Sequence, residues 1–350
     1  MTFQLTSDAS GFLLNDYPFV PLILEEGGIF QENGPFNAAI VKLSMDASSD
    51  LIWEKEKELA KSIVEKKGLV LWELDFGFPK KAVKVSDKMF FSSLVLALDH
   101  FSSVLKEFEA STLGAIFYRR DTHFSTHIDW DQQQNENFLA WKEDYPVSTD
   151  SLQLKEVYAA NVIAEYLHRL LSFLPDHLQA FCLFAYDPSI GPVRFFQRVS
   201  KDRFSHFQIA IKGSPFFSSG ISWGSGKPFS GIIAKEIMEF PVKKEIEVGI
   251  CLPGDEMLFN EGREELEEIA SYFIENSIPC RILHESMMTQ EWQGLETIAV
   301  FEKSLTIFGK RQLQGFCAAS GQVVVYKDSL GLSKEISFEE YKEKDRSRGI

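Results

Sequence analysis

The sequence predicts an α/β protein in which a (β/α) barrel of the TIM type, at residues 1–240, precedes a smaller three-layer α/β unit at residues 247–328. Short apolar runs alternate with longer amphipathic stretches, which is the pattern of parallel β/α units. The length of 350 residues suggests two domains, since one domain holds about 150 residues. Most apolar runs of the first block end in an acidic residue, as expected where strands deliver side chains to one shared mouth.

The first block contains six apolar runs that are expected to form strands, at 19–24, 36–45, 69–74, 113–118, 180–185 and 206–211. Amphipathic stretches at 50–67, 92–110 and 157–174 are expected to form helices, the first ended by Gly68 and the last by Pro175. The glycine- and serine-rich run 213–231 is expected to be loop with one short strand. The region before residue 245 is short for eight strand–helix units with ordinary loops, so the sequence leaves an incomplete barrel open.

The second block begins after a linker at 239–247, which contains Pro241. Its expected strands and helices are the strands 248–252, 278–283, 297–301 and 322–326 and the helices 262–276 and 310–319. Residues 329–350 are rich in charge and are expected to form a loosely held tail.

Composition excludes several classes of function. The net charge of -15 argues against nucleic acid, which requires clustered cations, and against an anionic membrane surface. No run is judged long and apolar enough to cross a bilayer, and the first residues lack the pattern of a signal peptide. The four cysteines form no CxxC pair and are expected to be reduced and buried. A cytoplasmic location is therefore expected.

The richest cluster of polar residues follows the apolar run 113–118. Arginines and aspartates appear there as soon as the run stops, beginning with Arg119, Arg120 and Asp121. Acidic residues at other strand ends include Glu73, Asp75 and Asp187. Carboxylates that share one mouth can divide the roles of acid, base and nucleophile. The alternative interpretation is that such acids are helix caps and turn residues.

The sequence leaves other kinds of chemistry open. His123 and His127 are four residues apart and Asp129 lies alongside, which leaves a metal site open as the weaker alternative. No nucleotide cofactor is expected, because Pro228 replaces the hydroxyl residue of a phosphate loop and no GxGxxG follows a strand. Tryptophans near strand ends, which are Trp72, Trp130 and Trp223, are candidates for stacking on sugar rings.

The order of these parts resembles a known family. An amphipathic helix, the strand LGAIFYRRD and the F-x-x-W element Phe138–Trp141 are similar to the middle of clan-A glycoside hydrolases of the β-galactosidase type. In that family an α/β domain that resembles glutamine amidotransferases follows the barrel and mediates trimers, and residues 248–326 are similar to it in layout. The resemblance implies a carbohydrate ligand and a homotrimer formed through residues 247–328.

The resemblance also implies roles for individual residues. The family ends its fourth strand in Asn-Glu, and the matching positions here are Arg120 and Asp121. Asp121 would be the general acid/base, and Arg119 or Arg120 would clamp the substrate. Glu73, Asp75 and Asp187 would be the partner carboxylates. No glutamate is placed on a seventh strand to act as nucleophile.

Three functions therefore stand as hypotheses. The first is a glycoside-hydrolase-like protein that binds or hydrolyses a carbohydrate at the barrel mouth. The second is a catalytically inactive scaffold or assembly protein that keeps the glycosidase architecture. The third is a metal-dependent hydrolase that uses the cluster around His123, His127 and Asp129.

Overall fold

The structure of the protein is a computed structural model. It describes residues 5–8, 11–25, 27–45, 53–76, 85, 87–120, 126–143, 151–175, 178–185, 207–212, 221–223, 231–236, 247–254, 262–276, 278–285 and 288–348. These residues form a small antiparallel sheet, an eight-stranded barrel and a second, five-stranded sheet.

The barrel is closed and all its neighbouring strands are parallel. Its strands, in chain order, are β4 (Leu22–Leu24), β5 (Ala38–Ser44), β6 (Leu69–Asp75), β7 (Thr112–Arg120), β8 (Ala180–Ala185), β9 (Phe207–Lys212), β10 (Ile221–Trp223) and β11 (Gly231–Ala234). Strand β11 pairs with β4, which closes the circle. The TIM-like barrel is thus confirmed, and the alternative of an incomplete barrel is wrong. The chain closes the barrel within 234 residues because β9, β10 and β11 are separated by only eight and seven residues.

Four long helices are described on the outside of the barrel. They are α1 (Glu54–Glu65), α2 (Lys88–Phe108), α3 (Gln132–Glu143) and α4 (Ser151–Leu171). A 3-10 turn at Glu109–Ser111 follows α2. Helix α2 begins at Asp87, whose carboxylate accepts hydrogen bonds from the backbone N–H groups of Met89 and Phe90. The helices bury one face against the outward-facing side chains of β5, β6 and β7.

The side chains of the barrel strands alternate between two apolar layers, as the period of a strand requires. The inner layer fills the barrel and consists of Ile23, Ala38, Ile40, Leu71, Leu113, Ile116, Phe181, Leu183 and Ile233. The outer layer lies under the helices and includes Leu24, Val41, Leu43, Trp72, Leu74 and Phe117. A residue that is two positions from an inner-layer residue on a regular strand therefore points into the barrel.

A three-stranded antiparallel sheet precedes the barrel and was missed by the sequence prediction. Its strands are β1 (Leu5–Asp8), β2 (Gly11–Leu14) and β3 (Tyr17–Phe19), and β2 and β3 are joined by Asn15 and Asp16, both with positive φ. Leu14 and Phe19 pack against the inner layer of the barrel. This sheet thus covers apolar side chains of the barrel interior.

The second sheet is parallel and has helices on both faces. Its strands are β12 (Val248–Leu252), β13 (Cys280–His284), β14 (Thr297–Val300), β15 (Gln322–Val325) and β16 (Glu335–Ser337), in the order β13-β12-β14-β15-β16. One face packs against α5 (Arg263–Glu275) and α8 (Phe338–Arg348), and the other against α6 (Met288–Glu291) and α7 (Ile307–Ala318), with a 3-10 turn at Glu302–Ser304 before α7. The order 2-1-3-4-5 is that of doubly wound, flavodoxin-like sheets. The likeness to an amidotransferase stays a prediction.

The prediction of a loosely held tail at residues 329–350 is wrong for most of that segment. Strand β16 extends the second sheet beside β15, and α8 follows it directly. Phe338 is fully buried and Ile336 and Tyr341 pack around it. The high charge of the segment is the solvent-facing side of an amphipathic element whose few apolar residues are its anchor.

Helix α2 requires a second correction. Among the described residues, the segment Lys88–Ser111 is long and apolar enough, by length and composition, to cross a membrane. Here it is an outer helix of the barrel, in which Leu94, Leu98 and Phe101 are fully buried. This packing accounts for the apolar residues on the buried face, whereas Met89 and Leu96 of the same helix are exposed.

Candidate functional site

A layer of five charged side chains lies directly above the apolar filling of the barrel, at the carboxyl ends of four adjacent strands. The residues are Glu25 after β4, Lys42 on β5, Glu73 and Asp75 on β6, and Arg119 on β7. Leu71, two positions before Glu73, belongs to the inner layer, as does Ile40, two positions before Lys42. The strand period therefore turns Lys42 and Glu73 into the barrel mouth.

The buried carboxylate of Glu73 lies between two cations. Its side chain is 4% exposed. Arg119 Nη1 lies 3.4 Å from Glu73 Oε2, and Lys42 Nζ lies 3.8 Å from Glu73 Oε1. Because an isolated ionised carboxylate is costly to bury, this pairing explains how the barrel tolerates the charge.

The two cations also hold the outer carboxylates of the layer. Arg119 Nη2 donates a hydrogen bond to Glu25 Oε1 at 3.0 Å, and Lys42 Nζ lies 2.9 Å from Asp75 Oδ2. The side chains of Arg119, Asp75 and Lys42 are 26%, 29% and 34% exposed, so solvent reaches all three. The layer is thus a connected network with a buried centre and an accessible rim, and with three carboxylates against two cations.

Three of these residues were predicted as site residues, and their roles stay predictions. Glu73 and Asp75 lie side by side with Arg119 at the mouth. Lys42 was missed, although one lysine inside the otherwise apolar run AAIVKLS was a usable signal. Glu25 is an acidic residue that follows an apolar run, but it was not among the predicted site residues.

Trp72 does not lie at the mouth, and its prediction as a sugar-stacking residue is wrong. It is fully buried in the outer layer, where its ring meets Phe101 and Phe108 edge to face. Its indole N–H donates a hydrogen bond to Thr112 Oγ1 at 3.1 Å. Neighbouring residues of a strand face opposite sides, so Trp72 and Glu73 cannot both point into the barrel.

Trp130 packs among aromatic side chains of α3 and α4. The centroid of its ring lies 5.7 Å from that of Phe138 and 5.9 Å from that of Tyr158. Lys155 Nζ lies over the Trp130 ring, 4.7 Å from its centroid. Trp130 is therefore a partly buried side chain that packs against these two helices. Its role in stacking on a sugar stays a prediction.

Several predicted site residues lie outside the described part of the chain. They are Asp121, His123 and Asp187 together with the side chains of Arg120 and Trp223. The backbone of Arg120 ends β7 and that of Trp223 ends β10. Both strands thus lead to the same end of the barrel as Glu73.

His127 is engaged in a buried hydrogen bond. Its Nδ1 lies 2.6 Å from the Tyr118 hydroxyl, and both residues are buried. Among the residues that the structure describes, no group of three histidine, cysteine or acidic side chains could hold a metal ion. For the described residues, the metal alternative of His127 and Asp129 therefore has no third ligand.

The carboxyl edge of the second sheet is filled by a side chain of the chain itself. The buried Glu285, directly after β13, accepts hydrogen bonds from the N–H groups of Gly254 and Thr306 at 2.5 and 3.1 Å and from the Thr306 hydroxyl. It therefore occupies the positive end of α7, where an anion would otherwise bind. Cys251 is buried nearby, and burial raises the pKa of its thiol well above the usual range, which makes it a poor nucleophile.

Comparisons with known proteins give a limited result. No family model matches the chain, and no curated protein matches it. Among solved structures, it is similar to the exo-β-1,4-mannosidase Op5Man5 from Opitutaceae bacterium strain TAV5, with a TM-score of 0.49 and 10% identity over 92% of this chain and 78% of that chain. It is also similar to XEG5A, a GH5 xyloglucan-specific endo-β-1,4-glucanase from a metagenomic library, with a TM-score of 0.31 and 8% identity over 89% of this chain and 88% of that chain. Neither likeness assigns an activity.

Proposed function

We propose that this chain is a glycoside-hydrolase-like protein that binds or hydrolyses a carbohydrate at the carboxyl-end mouth of its barrel. The observation that carries the proposal is the charged layer of Glu25, Lys42, Glu73, Asp75 and Arg119. In essentially every characterised TIM-barrel enzyme the active site lies at this end of the strands. The network is also rigid where it is buried and accessible at its rim, as a pre-organised binding site requires.

The chemistry of the layer favours a polyhydroxyl ligand. Carboxylates accept hydrogen bonds from sugar hydroxyls, while Arg119 and Lys42 donate to them, and such charge-assisted bonds are the strong ones. Among the described residues of the mouth, three carboxylates and two cations thus offer both acceptors and donors to sugar hydroxyls. Asp121, one residue beyond the end of β7, is our candidate for the general acid/base.

A binding experiment tests the proposal. Purified protein is screened against an oligosaccharide array, and the best ligand is titrated by calorimetry into wild type, Asp75→Asn and Glu107→Gln. Glu107 is the matched control, because it also forms an ion pair, with Lys61 at 3.1 Å, but lies on the outside of α2. Loss of hydrogen bonds to a charged group costs about 1.5–3 kcal/mol, so Asp75→Asn should weaken binding roughly 10- to 150-fold.

Hydrolysis is tested separately from binding. If Asp121 is the acid/base, Asp121→Asn abolishes release of the aglycone from a panel of aryl glycosides while calorimetric affinity stays within a few-fold. Sugar binding without any hydrolysis by the wild type would support binding alone as the function and would remove Asp121 as an acid/base.

One structural observation favours that second candidate. Each described carboxylate of the mouth is held by Lys42 or Arg119, and Arg120-Asp121 stands where the similar family has Asn-Glu. An assembly protein that retained the barrel would keep such a network for rigidity alone. Under this candidate no glycan binds and Glu73→Gln affects only stability.

We propose a homotrimer formed through residues 247–328 and a cytoplasmic location. Light scattering on the full chain tests the trimer, and a monomer at micromolar concentration would refute it. Metal analysis of the purified protein tests the remaining alternative, for which one bound ion per chain is the required result.

A further inference from the structure

A β-bulge in β7 determines the direction of the Arg119 side chain. The pairing of β7 with β8 steps from Ile116 opposite Phe181 to Tyr118 opposite Cys182, so Phe117 is an extra residue. Ile116 belongs to the inner layer of the barrel, whereas both Phe117 and Tyr118 belong to the outer layer. The extra residue thus interrupts the alternation of faces just before the mouth.

The bulge reverses the direction in which the Arg119 side chain points. On a regular strand Tyr118 would share the inward face of Ile116, and Arg119 would point outward beneath the helices. With the bulge, Arg119 stands opposite Leu183, which is an inner-layer residue. Arg119 therefore reaches Glu73 and Glu25 across the mouth.

The outward position of Tyr118 is fixed by His127. The Tyr118 hydroxyl and His127 Nδ1 form a buried hydrogen bond at 2.6 Å, and their rings meet edge to face at 5.6 Å between centroids. Tyr118 is 1% exposed and His127 is fully buried. A buried hydroxyl that lost this partner would carry a desolvation cost, so the bond disfavours any register in which Tyr118 turns inward.

We infer that Tyr118 and His127 are positioning residues that hold the β7 bulge and thereby aim Arg119 at the carboxylates of the barrel mouth. Neither residue needs to touch a ligand. The use of Arg119 in carbohydrate binding rests on the proposed function, whereas the aiming of Arg119 does not.

The test measures the coupling between Arg119 and Glu73 without any ligand. The two residues are coupled if the shift of the urea midpoint in the double variant Arg119→Met/Glu73→Gln differs from the sum of the shifts in the two single variants. This difference is measured in several backgrounds of the full chain. The test backgrounds are Tyr118→Phe and His127→Leu. The control is Tyr158→Phe, which also removes a buried hydroxyl, one that donates to Gln134 Oε1 at 3.1 Å in the helical layer.

We expect non-additivity in the wild type and in Tyr158→Phe, and its loss in Tyr118→Phe and His127→Leu. His127→Asn keeps a polar atom near the position of Nδ1 and should restore it. Undiminished coupling in both test backgrounds, equal loss in Tyr158→Phe, or no coupling in the wild type overturns the inference. If coupling behaves as expected while no glycan binds, the proposed function fails and the positioning role stands.

Discussion

Removal of the Arg119 guanidinium should destabilise the barrel more than any other single change in the charged layer. Arg119→Met takes the shared cation from Glu73 and Glu25, whose side chains are only 4% and 11% exposed. Breaking a buried pair in this way costs about 3–5 kcal/mol, because a buried charge loses its compensation. Glu73→Gln should cost less, about 1.5–3 kcal/mol, because Arg119 keeps Glu25 and Lys42 keeps Asp75.

The measurement is thermal unfolding followed by tryptophan fluorescence. Five of the six tryptophans lie before residue 240, so the signal reports mainly on the barrel. With a shift of about 2–4 °C per kcal/mol, Arg119→Met should lower the Tm by about 6–20 °C and Glu73→Gln by about 3–12 °C. The control Glu107→Gln removes an exposed ion pair worth at most about 1 kcal/mol and should stay within about 4 °C of wild type. An Arg119→Met protein with the same Tm as the control would refute the buried network.

Three further predictions concern residues outside the mouth. The four cysteines should react with a thiol reagent at pH 8 only after unfolding, because all are buried and burial raises the pKa of Cys280 to about 12. Mass spectrometry counts the modified thiols. A thiol of the native protein that reacts as fast as in the denatured protein would contradict this prediction. The hydrogen bond of Tyr326 to Glu268 raises the pKa of the tyrosine to about 12. Because the folded pKa lies above the unfolded value of about 10, its contribution to stability is present below pH 10 and is lost as the pH rises toward 12. Tyr326→Phe should flatten the fall of the urea midpoint over that range, and an unchanged slope would count against the assignment. Asp87→Ala removes the N-terminal cap of α2 and should lower the free energy of unfolding in urea by about 1 kcal/mol. The control is Asp99→Ala on the exposed face of the same helix, which should change that free energy little. Equal effects of the two substitutions would disprove the role of Asp87 as a cap.

The sequence predicted those parts of the fold in which local pattern and tertiary packing agree. The strands at 69–74 and 180–185 and the helix at 262–276 were found within two residues of their observed ends. The apolar period of such elements is set by the layer they face, so it is visible in the sequence alone. The strand β16 was not found, because three residues are too few to show a period and it depends on the neighbouring strand for its hydrogen bonds.

The candidate site was predictable only in part. Glu73, Asp75 and Arg119 are charged residues at strand ends, which is a local signal. The inward direction of Arg119, by contrast, depends on the bulge at Phe117, and a bulge has no signature in a single sequence. Trp72 was predicted at the mouth because it lies near the end of a strand, although alternation within that strand turns it away from the face of Glu73.

The most direct test of the carbohydrate proposal is a crystal structure of the protein soaked with the oligosaccharide that binds best in the array. We predict a sugar ring at the carboxyl ends of β4–β7, with ring hydroxyls within hydrogen-bond distance of Asp75, Lys42 or Arg119. A sugar bound elsewhere on the molecule, with the barrel mouth holding only water, would contradict the proposal.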